Sequence, residues 1–202
     1  ASIDYFQFDF KNPIVTEPVA GIVNALYPNG ATGANNCALY PALAARFTFN
    51  GACGPPTTIA RLKTNYINGA AVKNSGFDFA LDYRFDNVLG GELAVGGNAT
   101  YISEYKVGAT SVEGVVVEKA FDAVGLLNYQ TTVVPIPQWK GDIHGEWSMG
   151  PHNVRLTVHY IDSYTDQRTA PFAANAYKDT TGAGVQITNG KTIDAQILTD
   201  LA

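Results

Sequence analysis

Residues 77 to 85, FDFALDYRF, set Phe77, Phe79, Leu81, Tyr83 and Phe85 against Asp78, Ala80, Asp82 and Arg84. Successive side chains of an extended chain point to opposite faces, so this strict alternation predicts a strand with one apolar and one polar face. The pattern recurs. Trp139, Ile143, Trp147 and Met149, with the small Gly141 and Gly145, alternate with Lys140, Asp142, His144 and Glu146. Val154, Leu156, Val158 and Tyr160 then alternate with Arg155, Thr157 and His159. Leu93, Val95, Ala99, Tyr101 and Tyr105 do likewise from Glu92 onward, Phe6, Phe8 and Phe10 stand against Tyr5, Gln7 and Asp9, and Ile193, Ala195 and Ile197 continue the habit. About six strands follow.

The connections fall into two kinds that alternate along the chain. Asp86 to Gly91 (DNVLGG) and Gly150 to His152 are tight, whereas Lys11 to about Pro56, Val107 to about Pro135 and Ser163 to about Gly190 are long. Each long one exceeds the roughly 12–15 residues at which structureless loops become unusual in compact domains. Short turns at one end and long loops at the other are what transmembrane barrels show, the long loops being extracellular. The expected fold is therefore all-β: an antiparallel up-and-down transmembrane β-barrel, here an incomplete wall of about six strands with long extracellular loops. Pairing 139–149 with 153–161 around Gly150-Pro151 superposes the apolar faces when Trp147 lies opposite Val154, which sets Glu146 opposite Arg155 and Asp142 opposite His159. These pairs are expected to face the lumen. The run from Ile59 to Phe85 exceeds the about 10 residues of one crossing, so part of it should project beyond the bilayer, with a bulge at Asn68-Gly69 or Gly76.

Composition agrees. The 202 residues are 46% hydrophobic and 15% charged with mean hydropathy -0.02, enough apolar material for one substantial domain. Twenty glycines, 11 tyrosines, 10 phenylalanines and 10 prolines against one methionine favour strands and turns. A net charge of -5 with 13 scattered Lys and Arg leaves no basic patch for nucleic acid. No apolar run reaches the about 18 residues of a membrane helix and no signal peptide is visible, so a membrane location would come from strands. Ala1 and Ala202 both read as lying inside strands, so both ends look cut. Cys37 and Cys53 share one Gly/Pro/Asn-rich stretch at a spacing too wide for a metal-ligand pair. They are expected to form a local disulfide in an oxidising compartment, the alternative being two free thiols in a cytosolic protein.

Candidate chemistry is sparse. HExxH, GxSxG, Walker and GxGxxG signatures are missing, so no enzyme activity and no cofactor are expected. His144, His152 and His159 read as solvated lumen or turn positions rather than metal ligands, and Asp78, Asp82, Asp142, Glu146 and Asp194 as a hydrated wall. Trp139, Trp147, Tyr101 and Tyr105 read as interface or lipid-facing aromatics. Tyr27, Tyr40, Phe47 and Phe49 in the first long loop are ligand-contact candidates or, equally, pack the loop on itself.

The order SIDYFQFDFKNPI, a long loop, LKTNYINGAAVKNSGFDFALDYRF, GGELAVGGNATYISEY and VPIPQWKGDIHGEWSMGPHNVRLTVHYIDSY resembles the C-terminal part of TonB-dependent receptor barrels. Asn68, Gly69 and Gly76 match a family strand with Asn-Gly and then Gly before alternating residues, and Pro137 to Lys140 match a Pro-x-Trp-Lys-like strand start. The resemblance takes residues 1–202 as one partial barrel domain. It implies an outer-membrane location in a Gram-negative bacterium, contact with outer-membrane lipid, and a receptor that binds a scarce solute and imports it with TonB-coupled energy. TonB would be engaged through a plug region outside this chain, and two more strands would follow TIDAQILTD. The solute would be small, a siderophore or other chelate, cobalamin or a carbohydrate. Two alternatives remain at this level: a secreted or periplasmic β-sandwich ligand-binding module, and a passive porin.

Overall fold

A computed structural model describes residues 1–28, 30, 34–127, 135–166, 177–178, 184–185 and 191–202. The first half contains β1 (Ser2–Phe10), β2 (Ile14–Thr16), β3 (Phe47–Phe49), β4 (Ile59–Leu62), β5 (Tyr66–Asn68), β6 (Val72–Val88) and β7 (Gly91–Val107). The second contains β8 (Thr110–Val112), β9 (Val115–Glu118), β10 (Phe121–Asp122), β11 (Trp139–Met149), β12 (His152–Ile161) and β13 (Tyr164–Asp166). The short β14 (Tyr177–Lys178), β15 (Gly184–Val185) and β16 (Lys191–Ile193) precede β17 (Gln196–Leu201). Two helices, α1 (Val19–Leu26) and α2 (Pro41–Ala44), lie in the first long connection. The chain divides into a sheet unit (Ala1–Phe8, Asn74–Tyr105, Ala123–Ala202) and a loop unit (Asp9–Lys73, Lys106–Asp122).

The sheet unit is built on the order β1-β6-β7-β11-β12-β17, an open path of neighbours, and β10 pairs with the end of β7. The turns are tighter than the sequence suggested. β6 runs through Val88 and β7 resumes at Gly91, so Leu89 and Gly90 alone make the bend, both at positive φ as a two-residue turn matched to sheet twist requires. Gly150-Pro151 joins β11 to β12 in the expected register, with Trp147 opposite Val154, Glu146 opposite Arg155 and Asp142 opposite His159.

That register lays side chains in rows across four strands. On the apolar face Val95, Gly145, Leu156 and Leu201 stand in one row, and Gly97, Ile143, Val158 and Thr199 in the next. Ala99, Gly141, Tyr160 and Ile197 form a third. Small residues thus sit beside large ones, and the large ones remain exposed, Ile143 at 63% and Leu201 at 74%. Aromatic side chains bound this face at both levels. Phe79 and Tyr101 pack on Trp139 at ring separations of 5.9 and 4.7 Å, while Tyr83 and Phe85 meet edge to face at 4.6 Å near the turns. The Trp147 indole donates to the Val88 carbonyl at 2.9 Å, fixing it at the same end.

One expectation needs correction. Ile193 to Ile197 is not one strand: β16 pairs with β13, β17 pairs with β12, and Asp194-Ala195 lies between. The break is matched on the partner side, where the Asp162 carboxylate accepts from the Ser163 amide at 2.8 Å, a local bond that competes with the ladder. Gly76 in turn marks a close approach. A side chain there would fall against the Tyr101 carbonyl and within 2.7 Å of the Phe6 ring. Gly76→Val is therefore expected to cost about 1–3 kcal/mol, read as a lower urea midpoint for refolding into lipid vesicles.

The long connections are also more structured than open loops. Of the third, residues 167–176, 179–183 and 186–190 lie outside the described residues. The first and the Lys106–Asp122 part of the second form the loop unit, with two-stranded ladders β2-β5, β3-β4 and β8-β9 and a core of Ile22, Leu26, Tyr27, Leu43, Phe47 and Val112. Val19, Ile22, Val23 and Leu26 recur at helical spacing, which places Ile22 and Leu26 inward on α1. Gly21 lets that helix approach β9, since a Cβ would lie 2.6 Å from the Val117 carbonyl oxygen. Within the Ile59–Phe85 run, β4 pairs with β3 and β5 with β2 before β6 begins.

Candidate functional site

Two places carry the polar chemistry, one in each unit. In the loop unit, Cys37 and Cys53 form the expected disulfide, with Cα atoms 6.6 Å apart and a sequence separation of 16. The bridge is tied to the helix end. The Asn36 backbone N–H donates to the Leu26 carbonyl at 2.8 Å and its side-chain amide to the Ala25 carbonyl at 2.9 Å, satisfying acceptors that a helix C-terminus leaves open. Tyr27 Oη lies 3.4 Å from Cys53 Sγ, and burial pushes the Tyr27 hydroxyl above its ordinary pKa.

All four aromatic candidates join this packing. Tyr27 and Phe47 are buried core members, and Tyr40 and Phe49 are half-buried against the core. Phe47 and Phe49 stack at 5.7 Å with ring planes 9° apart.

A charged cluster missed by the sequence reading braces the same unit. The Arg46 guanidinium forks onto both oxygens of Glu17, the two side chains being 10% and 3% exposed, and a further N–H reaches Glu113 at 3.1 Å. Arg46 also donates to the Lys63 carbonyl at 2.9 and 3.1 Å, and the Asn65 amide donates to Glu17 at 2.8 Å. Burial disfavours the Glu17 charge, but the Arg46 and Asn65 hydrogen bonds and the adjacent guanidinium charge more than offset it and hold its pKa below the ordinary value. Only proximity in the fold marks these residues, since Glu17, Arg46 and Glu113 stand in three separate stretches of chain.

The polar face of the sheet unit is laced across strands. Thr100 donates to Asp78 at 2.6 Å, Asn153 to Glu146 at 2.7 Å, and Arg155 lies 3.4 Å from the same Glu146. His159 stands opposite Asp142 as expected, but its Nε2 meets Asp200 of β17 at 3.2 Å. His144 faces the same side, its buried Nδ1 without a hydrogen-bond partner among the described residues, and His152 opens β12 beside the tight turn. Among the described residues no group of three His, Cys, Asp or Glu is placed to hold a metal ion. Beyond this face, where the long connections attach, Lys140, Asp162, Tyr164, Asp194 and Gln196 line a cavity of about 270 Å³.

Comparison with curated proteins and with solved structures finds no match. The family model described as TonB dependent receptor-like, beta-barrel, matches residues 1–201, and the chain belongs to that family, one of outer-membrane receptor and transport proteins rather than of enzymes.

Proposed function

We propose that this chain is wall and loops of an outer-membrane importer that captures a scarce small solute from outside a Gram-negative cell and passes it inward with energy drawn through TonB. The observation that carries the reading is the exposed apolar face bounded by aromatic residues at two levels. Trp139 and Trp147 stand on one strand at opposite limits of that face. At 3.3 Å per residue their separation is about 26 Å along the strand, or about 20 Å of height at the usual strand tilt of about 40°, which spans most of the apolar band of about 25 Å that outer-membrane barrels present to lipid. Outer-membrane lipid is then the partner of the apolar face, and the hydrogen-bonded face of Asp78, Glu146, Arg155 and His159 lines water. Residues 1–202 act as one barrel domain whose first long connection and the Lys106–Asp122 part of the second fold into the loop unit.

Solute recognition falls to the long connections. The proposed ligand contacts are the half-buried Tyr40 and Phe49, which pack against the core that holds Tyr27 and Phe47. TonB acts through a plug region of the parent protein, and the solute is a chelate or another small polar molecule. The sandwich alternative requires two sheets with apolar faces packed together, whereas the sheet built on β1, β6, β7, β11, β12 and β17 carries Ile143, Leu156 and Ile197 exposed and the other described sheets have two strands each. Family membership favours the importer over a passive porin.

The face assignment has a direct test. Ile143→Arg, midway between Trp139 and Trp147, is expected to cost about 2–4 kcal/mol in vesicle refolding, the depth-dependent cost of a cation at the lipid midplane. His144→Arg, one residue on, should cost far less because it enters water. Equal effects would mean that the two faces are not lipid and lumen. For the function itself, the parent protein should fractionate with outer membranes and its solute uptake should stop when TonB is removed. Recovery as a stable soluble monomer would overturn the reading.

A further inference from the structure

The β8-β9 hairpin forms an arm of the loop unit, and Glu118 at its base is out of keeping with its neighbours. β9 packs on β8 and on α1, and neither Thr110–Val112 nor Val19–Leu26 carries an ionisable side chain. Gly21 leaves a notch in α1, so that a Cβ there would lie 2.6 Å from the Val117 carbonyl oxygen and 3.2 Å from Glu118 Cγ. The Glu118 stem therefore lies half-buried against the helix. Thr110, directly opposite in the ladder and 8% exposed, donates its hydroxyl to the Glu118 carboxyl.

The charges of the neighbourhood stand elsewhere. Lys119 follows in sequence and is exposed. The Glu113–Arg46–Glu17 cluster meets the arm at its tip, just past the pair of Val112 and Val115, whereas Glu118 and Thr110 pair at its base. Burial accordingly pushes the Glu118 carboxyl above the ordinary glutamate value, and the Thr110 hydrogen bond offsets only part of that. Tip and base thus respond to acid in opposite directions, because Glu17 is held below its ordinary value.

We propose that Glu118 makes the seating of the β8-β9 arm on α1 depend on external pH: the arm seats with Glu118 protonated and loosens when it ionises. A carboxyl whose pKa is raised by docking contributes stability that is fully present below 4.5 and is lost as pH rises through the raised value. Glu17 contributes in full above 4.5 and fails as pH falls through its lowered value. The arm is therefore held best in mildly acidic medium near 4.5, and towards neutrality its grip on the core that Val112 helps to fill weakens. The receptor reading above supplies only the side of the membrane on which the proton is sensed, since the response itself belongs to the loop unit.

The test is amide hydrogen exchange of β8 and β9 in the whole receptor in detergent, corrected for intrinsic rates, between about pH 5 and 7.5. A two-stranded hairpin is marginal in water by itself, so these amides exchange when the arm leaves α1. Exchange is expected to be severalfold faster at the higher pH. Glu118→Gln keeps the shape and the acceptor for Thr110 without the charge, so its exchange should stay slow throughout. Thr110→Val removes a hydrogen bond that favours the charged form, so the transition should move to higher pH. Below 4.5 the loss through Glu17 should remain in the wild type and in Glu118→Gln, which shows that the amides still report the arm. Wild-type exchange that does not change between pH 5 and 7.5 overturns the proposal, and so does a change of equal size in Glu118→Gln. TonB-dependent uptake judges the receptor reading separately.

Discussion

Replacing Arg46 by alanine is expected to destabilise the loop unit by about 3 kcal/mol, the lower part of the range for removing one partner of a buried ion pair. The reason is what stays behind. Glu17 is 3% exposed, and without the guanidinium its carboxylate keeps the Asn65 amide as its one remaining described partner. The Lys63 carbonyl also loses its side-chain donor, and Glu113 loses its bridge. Hydrogen exchange of α1 and β9 amides should accelerate by about two orders of magnitude, since each 1.4 kcal/mol is tenfold. Glu17→Met with Arg46→Met should recover part of the loss, because neither charge is then buried alone. Acid should mimic the single variant. The folded-state pKa of Glu17 is lowered from 4.5, so its contribution is fully present above that value and disappears as pH falls below it through the lowered pKa. Slow α1 exchange in Arg46→Ala at neutral pH would remove the ion pair from this account.

The Cys37→Ser, Cys53→Ser double variant is expected to lose about 3 kcal/mol, the stabilisation associated with closing a loop of about 15 residues. The consequence should be local. Protease cleavage should concentrate between 28 and 58, where Asn36 secures the end of α1 and the Phe47-Phe49 pair packs on the core. Dithiothreitol added to the wild type should give the same cleavage pattern, while refolding of the sheet unit should keep its urea midpoint. Unchanged protection after full reduction would show that the core of Ile22, Leu26 and Leu43 holds without its staple.

The sheet was legible because its signal is strictly local and repeated. Alternation in FDFALDYRF and in Trp139–Met149 fixed which residues share a face, and matching the two apolar faces around Gly150-Pro151 left one register, which the structure adopts. The break at Asp194-Ala195 was not legible, because alternation continues through it and the cause lies on the partner strand at Asp162. Helix α1 escaped for a different reason. It has eight residues, a Gly within it, Pro18 at its start and no side-chain cap, so the i, i+3, i+4, i+7 spacing of Val19, Ile22, Val23 and Leu26 spans barely two turns and no capping signal reinforces it. The disulfide was readable from loop context. The Arg46 cluster was not, since Glu17, Arg46 and Glu113 become neighbours only when two connections fold together. Tyr27 and Phe47 illustrate a limit of aromatic residues as evidence, because the same rings serve a ligand surface and a small core equally well.

The loop unit draws its core from stretches that the ribosome delivers far apart. Val112 packs with Ile22 and Leu26, yet the long β6-β7 hairpin lies between them in sequence. Closing that interval of about ninety residues costs about 1.5 kcal/mol more in chain entropy than closing the Cys37–Cys53 interval. Closing the Cys37–Cys53 interval is therefore the cheaper step, and it gathers α1, α2 and β3 into one half of the core before the distant half joins it. The β8-β9 arm then docks onto a surface already in place.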